Sequence, residues 1–153
     1  MITEPQFEKP PKVELTFDKK WPFKVAEDFT YYTFVPDCIY EIKIKQGFLT
    51  DFASVPRIPF IFSLFGDAHG TRAAAVIHDA CYRYKLFSRK ESDDIFLEAM
   101  KVAGASWWRR RIMHAAVRVF GGLFGGFGGD EDPLAQRDKV NCDKLKVTVK
   151  SST

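Results

Sequence analysis

Residues 71–84 read TRAAAVIHDACYRY, and this stretch decides the fold. Its apolar residues recur at spacings of three and four, which is typical of an amphipathic helix. On such a helix His78 and Tyr82 lie four residues apart on one face, and Asp79 lies one step round. The stretch therefore predicts a first long helix that carries a group of polar side chains.

A second helix is predicted directly after the first. Ser88 is a good N-cap residue, and Glu91 three residues later completes a capping box, so the helix should begin there and end near Gly104. A connection of about five residues makes two helices pack nearly antiparallel. We expect this packing to bring Asp93 of the second helix against the ring of His78.

The rest of the pattern gives the fold class. A third helix is predicted from Ser106 to the Gly121-Gly122 pair. Upstream of the helices, apolar and polar residues alternate in three short runs, at 13–17, 29–34 and 39–44, as in antiparallel strands. We predict an α+β fold in which an N-terminal antiparallel β-sheet of three or four strands packs on a three-helix C-terminal half.

At 153 residues the chain is long enough for one domain with appended ends. We expect an N-terminal arm at 1–11, a single α+β domain at 12–120, a Gly-rich hinge at 121–129 and a polar C-terminal tail at 130–153. The tail holds one expected strand, at 144–149. The tail is expected to order only against a partner such as another copy of the chain, and the arm either wraps a partner or is loose.

Composition limits the function classes. The net charge of +3 and 20 acidic against 23 basic residues give no basic footprint for nucleic acid. Three widely spaced cysteines predict neither a disulfide framework nor a zinc site, which favours a reducing compartment. We expect no secretory signal and no membrane-spanning helix. The Phe- and Leu-bearing glycine segment is either a linker or a stretch that contacts a membrane surface or a partner's groove.

His78 and Asp93 together predict a base. A carboxylate beside an imidazole fixes its tautomer and leaves the other ring nitrogen free to take a proton from water. Asp79, projecting the other way, could hold calcium together with carbonyl oxygens of a nearby loop. The alternative interpretation is a core histidine with one hydrogen bond.

The loop 47–57 is rich in turn-forming and hydrogen-bonding side chains, and Thr50 belongs to it. Asp51 is either an acceptor that closes the loop or a further polar member of the site and a second metal ligand. Arg57 could pair with a carboxylate or bind an anionic head group. The loop is therefore expected to lie beside the two helices.

These elements resemble the domain of unknown function 1353 family, which occurs in tailed phages, prophages and bacteria. The resemblance covers about residues 30 to 121. It rests on Gly47-Phe48, residues 50–57 and 74–82, Arg89-Lys90-Glu91, Asp93, Phe96, Ala99-Met100, Arg111, residues 116–118 and Phe120-Gly121. It implies a phage-associated protein whose arm and tail contact other phage proteins or another copy of the chain, and it brings no settled activity.

A shorter resemblance concerns chemistry. His78-Asp79-Ala80-Cys81-Tyr82 is similar to the His-Asp-x-Cys-Tyr helix of secreted phospholipases that cleave the sn-2 ester. That resemblance implies that His78 is the base, Asp79 the calcium ligand and Asp93 the carboxylate that orients the base. The Cys-Gly-x-Gly-Gly calcium loop of those enzymes is missing, so the loop at 50–56 would have to supply the carbonyl oxygens.

Two hypotheses follow for a protein of the host cytoplasm or the virion. The first is a metal-assisted hydrolase of lipid or of another envelope ester or amide, which predicts that solvent reaches His78 in a cleft. The second is a non-enzymatic phage structural or assembly protein. It predicts that the same polar residues form a buried hydrogen-bond network whose loss costs stability rather than rate.

Overall fold

The structure of the protein is a computed structural model that describes residues 2–51, 69–124 and 134–142. Within these ranges two antiparallel sheets are followed by three helices and a last strand, which confirms the predicted α+β fold. The elements in chain order are β1 (Gln6–Phe7), β2 (Val13–Leu15), β3 (Phe23–Val25), β4 (Phe29–Val35), β5 (Cys38–Ile44), β6 (Leu49–Thr50), α1 (His69–Arg83), α2 (Arg89–Val102), α3 (Trp107–Phe124) and β7 (Ala135–Asn141).

The larger sheet has the strand order β1-β4-β5-β7. Its centre is the hairpin of β4 and β5, in which Phe29 pairs with Ile44 and Val35 with Cys38. Alternate residues of β4 are buried from Phe29 to Thr33, as the alternating sequence predicts, and β5 buries Ile42 and Ile44 on its alternating part and Ile39 before a register shift. The smaller sheet has the order β2-β3-β6, and its strand β6 carries Thr50 into the core.

Helix α2 is tied to the larger sheet by a buried polar contact. The hydroxyls of Tyr31 and Thr33 on β4 donate to Oε1 of Glu98 at 2.9 and 2.7 Å. Burial raises the pKa of Glu98, and the two hydroxyls only partly offset this effect. The contact fixes how far α2 can slide along the sheet, and so it sets where the rest of that helix lies.

The predicted helices are present, with one difference at the last. Ser88 caps α2 and forms the capping box with Glu91, and Gly104 follows the helix with a left-handed φ of 86°. Helix α3 passes through the Gly121-Gly122 pair and ends at Phe124. Within this last part of the helix Gly121 lies against Tyr82, whose hydroxyl would be 3.2 Å from an added Cβ.

The two chain ends differ from the expectation that they order only against a partner. Phe7 of the arm pairs with Tyr31 of β4, and its ring lies 4.6 Å from the Tyr31 ring. Strand β7 of the tail pairs along the open edge of β5, buries Ala135 and places Arg137 4.6 Å over the Phe87 ring. Unsatisfied backbone groups at a sheet edge favour such pairing even for a polar strand. The expected strand at 144–149 lies outside the described residues.

The prediction that the cysteines form no disulfide is wrong. Cys38 and Cys142 are bonded across a sequence separation of 104 residues. Pairing of β7 with β5 brings them together, because Cys38 begins β5 and Cys142 directly follows β7. Disulfides persist mainly in oxidising compartments, so the cysteines no longer support a reducing one. Cys81 is a free, fully buried cysteine, as expected of a small apolar residue.

Loss of this disulfide should destabilise the fold. The bond closes a long loop and so reduces the number of conformations open to the unfolded chain. Replacing both cysteines (Cys38→Ser with Cys142→Ser) should therefore lower the free energy of unfolding by about 2–5 kcal/mol. Urea unfolding measures the change. Reductant should lower the wild-type midpoint to that of the double variant and leave the double variant unchanged. A wild-type midpoint that does not respond to reductant contradicts the prediction.

Candidate functional site

Three side chains converge on the Asp93 carboxylate of α2. On α1, Nε2 of His78 lies 2.8 Å from Oδ1 of Asp93, and the hydroxyl of Tyr82 donates to the same oxygen at 2.5 Å. On α3, the Arg118 guanidinium donates to Oδ2 at 3.0 Å. The predicted contact between His78 and Asp93 is therefore present, and all three described helices contribute to it.

Local sequence explains why these atoms meet. His78 and Tyr82 are one helical turn apart, so both face α2. Arg89, at the start of α2, donates to the carbonyl of Arg118 at 2.7 Å and so ties α3 to α2. Gly121 removes the side chain that would otherwise press on the Tyr82 hydroxyl. The close approach of α3 lets Arg118 reach the carboxylate.

The network keeps Asp93 ionised although its side chain has no exposure to solvent. Burial by itself would raise the pKa of Asp93, but the hydrogen bonds from His78, Tyr82 and Arg118 outweigh it and hold the pKa below its ordinary value. Burial lowers the pKa of His78, and the neighbouring carboxylate offsets this only in part. Burial, followed by the hydrogen bond to Asp93, raises the pKa of Tyr82. The resting site therefore pairs a neutral imidazole with a carboxylate.

The second ring nitrogen of His78 is the unusual atom of this site. With Asp93 ionised, Nε2 carries the proton and donates, so Nδ1 is an acceptor. Nδ1 is buried and has no hydrogen-bond partner within the described part of the chain. The ring is held in place by Tyr82 and Phe96, whose ring centroids lie 4.3 and 4.8 Å away. A buried nitrogen without a partner is uncommon in native proteins and calls for an explanation.

Asp79 points to a different part of the core from Asp93. Its carboxylate accepts a hydrogen bond from the Thr50 hydroxyl of β6, and both side chains are buried. Thr50 and Asp79 are thus brought together as expected of the loop and the helix. Asp51 follows Thr50 directly and is partly buried.

The expected calcium ligands do not form a complete set among the residues that the structure describes. Within those ranges no group of three or more His, Cys, Asp and Glu side chains is placed to hold a metal ion. Asp79 offers one carboxylate that already accepts from Thr50. Arg57 and the rest of the loop from residue 52 lie outside the described residues.

A comparison with known families matches the part of the chain that carries most of this site. Residues 23–117 match the family model described as "Protein of unknown function (DUF1353)". The chain belongs to this family. The DUF1353 match includes His78, Asp79 and Asp93 but ends one residue before Arg118, and β1 and β7 also lie beyond it. No curated protein and no solved structure matches the chain.

Sequence reasoning missed Arg118, Arg89 and Gly121 as parts of this site. Arg118 appeared only within the family resemblance, with no role assigned. A signal was present, because a predicted buried carboxylate such as Asp93 needs a cation or several donors. The third helix has four arginines, and the sequence does not show which of them reaches Asp93. That depends on how closely α3 packs against α2.

Neutralising Asp93 should cost much more stability than neutralising its neighbour. In Asp93→Asn, the amide cannot accept from His78, Tyr82 and Arg118 as a carboxylate does, so the free energy of unfolding should fall by about 3 kcal/mol. Asp94→Asn is the matched control. Asp94 is 47% exposed and pairs with Lys90 and His114 at the surface, so its loss should cost less than about 1 kcal/mol. Equal losses in urea unfolding would contradict the prediction.

Stability should also fall in mild acid because of His78. Its ordinary pKa is 6.5 and its folded pKa is lower, so below pH 6.5 the unfolded chain binds a proton that the folded chain does not. The free energy of unfolding should then drop by up to about 1.4 kcal/mol per pH unit until the folded pKa is reached. Asp93 acts in a lower window, since its stabilisation is present above pH 3.8 and is lost as pH falls through its folded pKa.

The His78 contribution is isolated by comparing unfolding of the wild type and His78→Gln between pH 7.5 and pH 5. The wild-type curve should be the steeper of the two below pH 6.5, whatever the absolute stability of the variant. Parallel curves would show that His78 titrates alike in the folded and unfolded states.

Proposed function

We propose that this DUF1353 protein is a hydrolase of lipid or of another envelope ester or amide, with His78 as the base that activates water. The observation that carries the proposal is the buried Nδ1 of His78, which has no partner in the described ranges while Nε2 is held by Asp93. A water molecule bound at Nδ1 would satisfy this acceptor and would be within reach to give it a proton.

The chain's own groups can perform both halves of the reaction. A water O–H bond breaks, its proton goes to Nδ1, and the oxygen attacks the carbonyl carbon of the substrate. The imidazolium formed is stabilised by Asp93, which Tyr82 and Arg118 hold in position. When the tetrahedral intermediate collapses, the proton on Nδ1 goes to the departing alcohol or amine oxygen or nitrogen. The lowered pKa of His78 keeps the imidazole neutral and ready to accept near neutral pH.

The steps above use only the chain's own side chains. Asp79 and Asp51 are the carboxylates that would hold a calcium ion, although the described residues alone do not complete a site around them. A bound cation would polarise the carbonyl of the substrate. Whether activity requires calcium is therefore a separate arm of the experiment.

The second candidate is a non-enzymatic phage structural or assembly protein in which the same residues only stabilise the fold. It is favoured by the complete burial of His78 and Asp93, which it predicts, whereas the solvent-reached cleft around His78 that the hydrolase hypothesis predicts is not present in the described part of the chain. Two cavities of about 540 and 410 Å³ in the described chain are lined by other residues, the first including Phe7 and Arg72 and the second Glu98 and Asp94. Hydrolysis would require an opening that lets substrate reach Nδ1.

The test is fatty-acid release from mixed phospholipid vesicles by the full chain, with calcium or with chelator. His78→Gln should lower the rate by about a hundredfold or more, since it removes the base. Tyr82→Phe should lower it less, because Asp93 keeps its other two donors. His114→Gln is the matched histidine control and should keep most of the wild-type rate, since the hydrogen bond of His114 goes to the half-exposed carboxylate of Asp94. Asp79→Asn reports on any calcium requirement.

Each variant is checked for a native circular dichroism spectrum before assay. Fatty-acid release by the wild type that disappears in a folded His78→Gln variant supports the hydrolase proposal. Absence of release from wild type in both calcium and chelator, with the Asp93 variants losing only stability, rejects it for phospholipid esters and favours the structural protein.

A further inference from the structure

Helix α3 has a second apolar face that the fold does not bury. Its inner face, which includes Met113, Ala116 and Val117, is in the core. Trp107, Trp108 and Val119 are nevertheless 65%, 48% and 63% exposed. Two adjacent exposed tryptophans form a costly surface for a protein in water, so a contact that removes them from solvent is expected.

The charged side chains of helix α3 itself have one sign. Helix α3 contains four arginines and no aspartate or glutamate over Trp107–Phe124. The Arg109 guanidinium lies 5.6 Å from the Trp108 ring, and Arg111 is exposed. The nearby carboxylate of Asp94 is already paired with Lys90 and His114. The exposed face of α3 is therefore cationic as well as aromatic.

Helical spacing places these groups side by side. Exposed residues recur along α3 mostly at spacings of three and four, which brings them onto one side of the helix. They are Trp108, Arg111, Ala115, Arg118 and, next to Arg118, Val119. We call the exposed residues Trp107, Trp108, Arg111 and Val119, together with the partly exposed Arg110, the α3 outer face. Arginine and tryptophan on a helix with an apolar strip are typical of helices that lie in the headgroup region of a bilayer.

We propose that the α3 outer face binds the surface of a membrane that contains anionic lipid. No helix in the described ranges is long and apolar enough to cross a membrane, so α3 would lie along the surface. The tryptophans enter the boundary between headgroups and acyl chains, and the arginines contact lipid phosphates. This binding goes beyond the proposed hydrolysis and does not depend on it, because none of these five residues contacts Asp93 or His78.

Other occupants fit less well. A second copy on the same face would bring two arginine clusters together, which is unfavourable. Single-stranded nucleic acid could stack on the tryptophans and contact the arginines, but it would leave Val119 without an apolar environment. An anionic bilayer satisfies the charges, the indoles and the aliphatic side chain together.

The experiment measures flotation of the full chain with vesicles of phosphatidylcholine alone and of phosphatidylcholine with phosphatidylglycerol. The wild type should bind the anionic vesicles, and salt should weaken this binding. Replacing two arginines (Arg110→Gln with Arg111→Gln) should weaken it by roughly tenfold or more. Replacing both indoles (Trp107→Ala with Trp108→Ala) should abolish it. Phe17→Ala is the matched control. Phe17 is a fully exposed aromatic residue outside α3, so its replacement should leave vesicle binding unchanged.

Three results would overturn the proposal: equal behaviour of all variants, no binding to anionic vesicles, or a preference for a single-stranded oligonucleotide that displaces the vesicles. Light scattering gives a further check. A dimer that is lost in the Trp107→Ala, Trp108→Ala variant, with no vesicle binding by wild type, would assign the face to a second copy instead. The vesicle measurement does not use catalysis, so it separates failure of membrane binding from failure of the hydrolase.

Discussion

The Asp93 carboxylate is the constraint on which the helical half depends. It is charged, has no contact with solvent, and lies where α1, α2 and α3 meet. A buried charge is tolerable only when donors surround it, and each helix can supply its donor in only one position along and around its axis. His78 and Tyr82 set α1, Arg118 sets α3, and the contact of Glu98 with Tyr31 and Thr33 sets α2 on the sheet. Packing of the apolar faces holds the helices together, and Asp93 fixes their register.

Much of this arrangement could be predicted from short-range patterns. Apolar spacing gave α1 within two residues at its start, and Ser88 with Glu91 gave the start of α2 because a capping box is a local interaction. The contact of His78 with Asp93 followed from a short connection between two helices. Alternation gave β4 and β5 because both strands have one buried face. In each case the residues that decide the element are close to it in the chain.

Interactions across long separations could not be predicted in this way. Strand β7 is polar, and it forms because β5 has an open edge rather than because of its own residues. The bond between Cys38 and Cys142 depends on that pairing, and the odd number of cysteines pointed away from it. Arg118 reaches Asp93 only because Gly121 lets α3 approach Tyr82. The sequence contains all these residues, but their partners follow from the assembled helices and sheet.

The disulfide also changes the covalent connectivity of the chain. Residues 38 to 142 form a closed ring, and α1, α2, α3 and every side chain around Asp93 belong to it. A protease that cuts one peptide bond inside the ring opens it without releasing a fragment. The two pieces travel as one molecule until a reductant separates them, so a single cut changes the mass under non-reducing conditions only by the one water molecule that hydrolysis adds. The protein can therefore stay in one piece after a protease has cut its backbone once within the ring.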